Sequence, residues 1–71
     1  MTLRQIRYAI TIANTCSMNE AAKQLFISQP SLTSAIKELE EEIHMAIFKR
    51  NTKGVTLTAE GEEFLGYAPW L

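Results

Sequence analysis

Gln29, Ser31, Thr33 and Ser34 are short polar side chains that both donate and accept hydrogen bonds, and Lys37 adds a positive charge one turn later. Read as one helix, they form a face without an acidic or large apolar residue. Such a face is small enough to enter the major groove of a nucleic-acid duplex and polar enough to reach base edges, with N-terminal N–H groups free for phosphate. Glu38, Glu40, Glu41 and Glu42 begin only beyond it, in the half that would point away from a polyanion. Ser28 precedes the face, and Lys49, Arg50 and Lys53 follow it around the turn sequence Asn51-Thr52-Lys53-Gly54. These four are suited to holding phosphate, the basic tip acting as a wing on the neighbouring backbone or minor groove.

No other constellation carries chemistry. Cys16 stands alone, without a second cysteine or paired histidine, and is expected to be an inert, half-buried thiol. His44, the single histidine, reads as a helix-end residue. No His/Cys/Asp cluster has metal-ligand spacing, no glutamate has a partner placed for acid–base work, and Gly54 reads as a turn glycine. A solvated face accounts for the glutamates. Catalytic residues, cofactor and metal are therefore all expected to be absent. Tyr67 and Trp70 lack a basic neighbourhood and read as packing residues.

With 71 residues, 46% of them hydrophobic and 21% charged, the chain holds one small domain. A domain of that size buries roughly 60% of the surface its unfolded chain exposes, too little to enclose a substrate pocket of ordinary size. The formal net charge of −1 hides ordered blocks. Residues 1–37 carry Arg4, Arg7, Lys23 and Lys37 against Glu20, and the glutamates from Glu38 follow. Lys49, Arg50 and Lys53 restore positive charge, and Glu60, Glu62 and Glu63 close the chain. Screening over about 8 Å lets such blocks act separately, so the net charge does not exclude a polyanionic partner. Lacking a signal-peptide pattern and a long apolar run, the sequence reads as cytoplasmic, with no membrane partner.

Four helices and a hairpin position these residues. Thr2 caps a first helix with Leu3, Ile6, Ala9, Ile10 and Ala13 on its apolar face, and Asn14 to Ser17 form a polar break. Asn19 or Ser17 caps a short second helix, Glu20 to Phe26, with Ala21, Ala22 and Leu25 inward and Met18 as a hydrophobic staple. After a very short connection, Ser28 or Gln29 caps a third helix with Pro30 in its first turn. Leu32, Ala35, Ile36, Leu39 and Ile43 share its core face, and His44 takes the left-handed position at its end. Ile47 to Arg50 and Val55 to Leu57 pair as a hairpin. Thr58 caps a fourth helix with an acidic first turn and a stripe of Phe64, Leu65 and Ala68, which Pro69 stops or kinks. The fold class is mainly α with a small β-hairpin wing. The helix, tight turn and helix match a helix-turn-helix.

Several runs are specific to one family: Leu3-Arg4-Gln5-Ile6-Arg7-Tyr8, Ser17-Met18-Asn19-Glu20-Ala21-Ala22, Ser28-Gln29-Pro30-Ser31-Leu32-Thr33, Ile36-Lys37-Glu38-Leu39-Glu40, Phe48-Lys49-Arg50 and Leu57-Thr58-Ala59-Glu60-Gly61. From Leu3 to about Ala68 the chain resembles the N-terminal DNA-binding domain of LysR-type transcriptional regulators, a bacterial winged helix-turn-helix family. The resemblance implies a winged helix-turn-helix over residues 1–58, a three-helix core with its wing, and the start of a linker or dimerisation helix over residues 59–71. It implies sequence-specific binding of double-stranded DNA and regulation of transcription by a homodimer of the full-length form. Two recognition helices would enter successive major grooves of a pseudo-palindromic operator, about 34–36 Å apart. Gln29, Pro30 and Thr33 match positions that contact bases or the adjacent backbone, and Arg50 and Lys53 match wing positions. Phe64, Leu65 and Ala68 would be the linker-helix contacts. Where Ser34 stands the family usually has Arg, so a charge and a bidentate donor are missing there. Family members also carry a large C-terminal effector-binding domain, so a small-molecule effector is expected only through such a domain, which these 71 residues do not contain. The alternative reading is a winged-helix protein–protein interaction or dimerisation fragment without specific DNA binding.

Overall fold

The computed structural model describes residues 1–66. Its elements run α1 (Leu3–Thr15), α2 (Met18–Leu25), α3 (Gln29–Ile43), β1 (Phe48–Asn51), β2 (Gly54–Leu57) and α4 (Ala59–Gly66). Local chemistry sets most of their limits. Thr2 caps α1 in a capping box: its hydroxyl accepts from Gln5 N–H at 3.1 Å while Gln5 Oε1 accepts from Thr2 N–H at 3.0 Å. The helix runs on through Thr15, so the polar break is shorter than Asn14 to Ser17. Cys16 caps its C-terminus in the left-handed region with an exposed side chain, not the half-buried one expected. Ser17, not Asn19, caps α2, accepting from Glu20 N–H at 3.1 Å. Met18 is therefore the first helical residue, and it is buried in the core and not a staple outside the helix.

Leu25, half-buried, ends α2, and Phe26 follows as a left-handed cap (φ 59°) that is 94% exposed. The helix thus stops one residue short of the expected Phe26, because Phe26 N–H turns back to Lys23 O and Ile27 N–H to Ala22 O. Ser28 caps α3, and His44 ends it at φ 57°, as the absence of a glycine there predicts.

The core joins Ala9 and Ile12 of α1, Ala21 and Ala22 of α2, Leu32, Ile36 and Leu39 of α3, and Ile47, Val55 and Leu65 beyond them. Ala21 and Ala22 are both buried, and their small side chains let α2 pack closely on its neighbours. Leu3 departs from the predicted apolar face and is 82% exposed.

The strands pair antiparallel with Lys49 opposite Thr56, Arg50 opposite Val55 and Asn51 opposite Gly54. Val55 N–H donates to Cys16 O at 3.1 Å, tying the hairpin to the end of α1. Gly54 is more than a turn residue: its φ is 137°, and a Cβ there would overlap the Cys16 carbonyl. Thr58 caps α4 as expected, its hydroxyl accepting from Gly61 N–H at 2.9 Å. Leu65 is buried and Phe64 half-buried against the core. Tyr67, Ala68, Pro69 and Trp70, and the expected stop at Pro69, lie outside the described residues.

Candidate nucleic-acid interface

The α3 N-terminus is exposed from Ser28 through Ser31, while Leu32 turns into the core. Pro30 occupies the first turn, where its missing N–H leaves no hydrogen bond unmade. Ser28 is partly committed by its capping role: its hydroxyl accepts from Ser31 N–H at 3.2 Å and donates to Ser31 Oγ at 2.8 Å. Gln29, Ser34 and Lys37 are exposed and Thr33 half-exposed. The first acid on the helix is Glu38, so the face open to a partner is uncharged until Lys37 and then cationic.

Two recesses separate α3 from the hairpin. An open cleft of about 390 Å³ is lined by Asn19, Gln29, Arg50, Asn51 and Lys53 among others. A groove of about 270 Å³ beside it is lined by Thr33, Ile36, Lys37, Phe48 and Arg50 among others. The fold therefore gathers Gln29, Thr33, Lys37, Arg50 and Lys53 along one side, with Arg50 shared by both recesses. Alternation along β1 turns Lys49 the other way, and it lines neither. Pro30, Ser31 and Ser34 remain on the outer, exposed side of α3. At the tip Asn51 Oδ1 accepts from Lys53 N–H at 2.9 Å, a local turn that fixes the lysine backbone next to the cleft.

Two residues in this region were not singled out by their sequence context. Asn19, inside α2 because Ser17 is the cap two residues earlier, lines the cleft. Glu40 is not simply solvated: it is half-buried, and its Oε2 accepts from Ile47 N–H at 2.7 Å and Phe48 N–H at 3.1 Å. Neither contact has a local signal, since Glu40's partners lie beyond the end of its helix. Of the expected subunit contacts, Leu65 serves the domain's own core, Phe64 is half-buried, and Ala68 lies outside the described residues. Among the described residues there is no cluster of three or more His, Cys, Asp or Glu able to hold a metal, and no helix is long and apolar enough to cross a membrane.

The profile of the bacterial regulatory helix-turn-helix protein, lysR family, matches residues 3–62. The chain belongs to the LysR family. Among LysR-family relatives, the HTH-type transcriptional regulator BudR of Klebsiella aerogenes is 48% identical over 64 residues, covering 90% of this chain and 45% of BudR. BsdA of Bacillus subtilis (strain 168), also an HTH-type transcriptional regulator, is 47% identical over 66 residues, covering 92% of this chain and 23% of BsdA. The chain thus spans less than half the length of these curated relatives. In three dimensions it is similar to the DNA-binding domain of CbnR in a crystal structure of its complex with DNA, with a TM-score of 0.88, 38% identity, and coverage of 93% of this chain and 76% of that one. The LysR winged helix-turn-helix is therefore the fold of this chain: mostly helical, with a two-stranded antiparallel wing.

Proposed function

We propose that this chain is the DNA-binding module of a LysR-type regulator of transcription, acting on double-stranded DNA in a sequence-specific manner. Residues 1–58 form the winged helix-turn-helix, and α4 (Ala59–Gly66) is the start of the linker helix. Gln29, Pro30, Ser31, Thr33, Ser34 and Lys37 read the major groove, while Ser28, Arg50 and Lys53 hold the sugar–phosphate backbone and Lys49, on the other side of β1, serves only as a more distant positive charge. The observation that carries this reading is the placement of Gln29, Thr33, Lys37, Arg50 and Lys53 along the two recesses between α3 and the wing. A helix seated in a major groove and a cationic tip on the flanking backbone need that arrangement.

The module works in the cytoplasm, without a cofactor and without catalysis, as part of a longer regulator that pairs as a homodimer. Phe64 contributes to pairing through α4, and Leu65 acts from inside the domain. Two copies then meet a pseudo-palindromic operator with half-sites about 34–36 Å apart. An effector-binding domain in the full-length regulator supplies any response to a small molecule.

Selection of duplexes from a random-sequence pool by the 71-residue chain tests the proposal. A reproducible enriched motif, bound with an affinity that falls steeply with salt, supports it. No enriched motif and little salt dependence would instead identify a module that binds protein.

A further inference from the structure

Glu40 lies where three elements meet. It projects from α3 between its recognition face and its core face, and its single oxygen Oε2 accepts from two successive N–H groups, those of Ile47 and Phe48. Phe48 begins β1, so the carboxylate holds the base of the wing. The Ile47–Phe48 peptide is engaged on its other side: the Ile47 carbonyl accepts from Thr58 N–H at 2.9 Å, and the Thr58 hydroxyl, which donates to Ala46 O at 2.5 Å, lies 3.3 Å from it. Gly61 of α4 packs so closely on that carbonyl that a Cβ would overlap it. One peptide unit thus connects the recognition helix to both the wing and α4. A carboxylate accepting two backbone N–H groups is a charge-assisted contact, stronger and more directional than a neutral one. It is also close to the partner face, since Glu40 lines the same groove as Thr33, Lys37, Phe48 and Arg50.

We infer that Glu40 is a positioning residue for DNA binding: it sets the register between the recognition helix and the wing, so that Lys53 meets phosphate while α3 occupies the groove. The inference rests on the wing reading above. Glu40 touches no DNA in this scheme. Without it, the hairpin keeps its tie to α1 through Val55 and Cys16 but loses its tie to α3, leaving the basic tip free to pivot.

A double-mutant cycle separates positioning from a merely structural role. Binding to a short mixed-sequence duplex is measured at several salt concentrations for the parent chain, Lys53→Ala, Glu40→Asp, Glu40→Gln and the two paired variants. Glu40→Asp keeps the charge but is one methylene short of reaching both N–H groups. Glu40→Gln keeps the length and an acceptor oxygen. In the parent, removing Lys53 lowers affinity by about fivefold and the salt slope by about 1. In the Glu40→Asp background the same removal costs less than about twofold, because the tip is already misplaced, whereas in the Glu40→Gln background it costs nearly as much as in the parent. An equal Lys53 effect in the parent and in Glu40→Asp overturns the inference alone, even if that variant melts at a lower temperature. Loss of the Lys53 effect in both backgrounds supports it, the contact then needing charge as well as reach, whereas loss in Glu40→Gln with retention in Glu40→Asp shows that charge alone matters and overturns it. No Lys53 effect in the parent overturns the wing reading and this inference together.

Discussion

Gly61→Ala probes the junction that ties the wing and α4 to the rest of the domain. A Cβ at Gly61 would overlap the Ile47 carbonyl oxygen and sit 2.9 Å from its carbon and 3.1 Å from its Cα. Ordinary contact begins near 3.4 Å, and the carbonyl oxygen lies nearer than the carbon at 2.9 Å, so the peptide must retreat by well over 0.5 Å. The obstacle is backbone, with no flexible side chain to swing away. Overpacking of this kind costs about 1–3 kcal/mol. The retreat also stretches the hydrogen bond from Thr58 N–H to the Ile47 carbonyl, which contributes about 1 kcal/mol. Better helix propensity for alanine returns at most about 1 kcal/mol. The expected net loss is about 2 kcal/mol, which lowers the melting temperature of a domain this size by about 8–16 °C. Urea and thermal unfolding followed by circular dichroism measure it directly. A variant as stable as the parent, or up to about 1 kcal/mol more stable, would refute the close approach of α4 to Ile47, because that is what alanine gives at a solvent-exposed helical site.

Gln29→Ala is expected to cost about 1–3 kcal/mol on a selected duplex and to blunt preference at one base position, read by competition with single-base variants of that duplex. Lys53→Ala should weaken binding to all sequences alike and lower the salt slope by about 1, read from titrations across salt concentrations; an unchanged slope contradicts the wing assignment. Ser34→Arg restores the side chain usual in the family at an exposed position of the reading face. It should tighten binding to duplexes with guanine at the facing position by about 1–3 kcal/mol, and an equal effect on all duplexes would place Ser34 over the backbone instead.

Much of the fold is legible locally. Thr2, Ser28 and Thr58 announce helix starts because a cap is a contact between residues only a few positions apart. His44 at the end of α3 follows from the absence of a glycine. The apolar spacing of α3 picks out Leu32, Ile36 and Leu39, all buried. Misreadings arise where two local signals compete or where the partner is distant. Ser17 and Asn19 are both good caps, and only the burial of Met18 decides between them. Phe26 looks like a last helical apolar residue, but the chain must turn there to bring α3 onto α2, so the ring points to solvent. Glu40 belongs by sequence to a run of acids, and its role appears only when the chain folds back to bring Ile47 and Phe48 beneath it. The same holds for Gly54 and Gly61, whose neighbours Cys16 and Ile47 are remote along the chain. Among the candidate contacts, strand alternation separates Lys49 from Arg50, a distinction that charge alone does not draw.

In the proposed complex the N-terminal half of α3 enters a duplex groove while the wing holds the flanking backbone. NMR titration of the labelled chain with a selected duplex reads both at once. The backbone amides of Gln29, of residues 31–37 and of Arg50 to Lys53 should shift together and saturably, while those of residues near the end of α4 move little. Movement confined to α4, or none between Gln29 and Lys37, would contradict that arrangement.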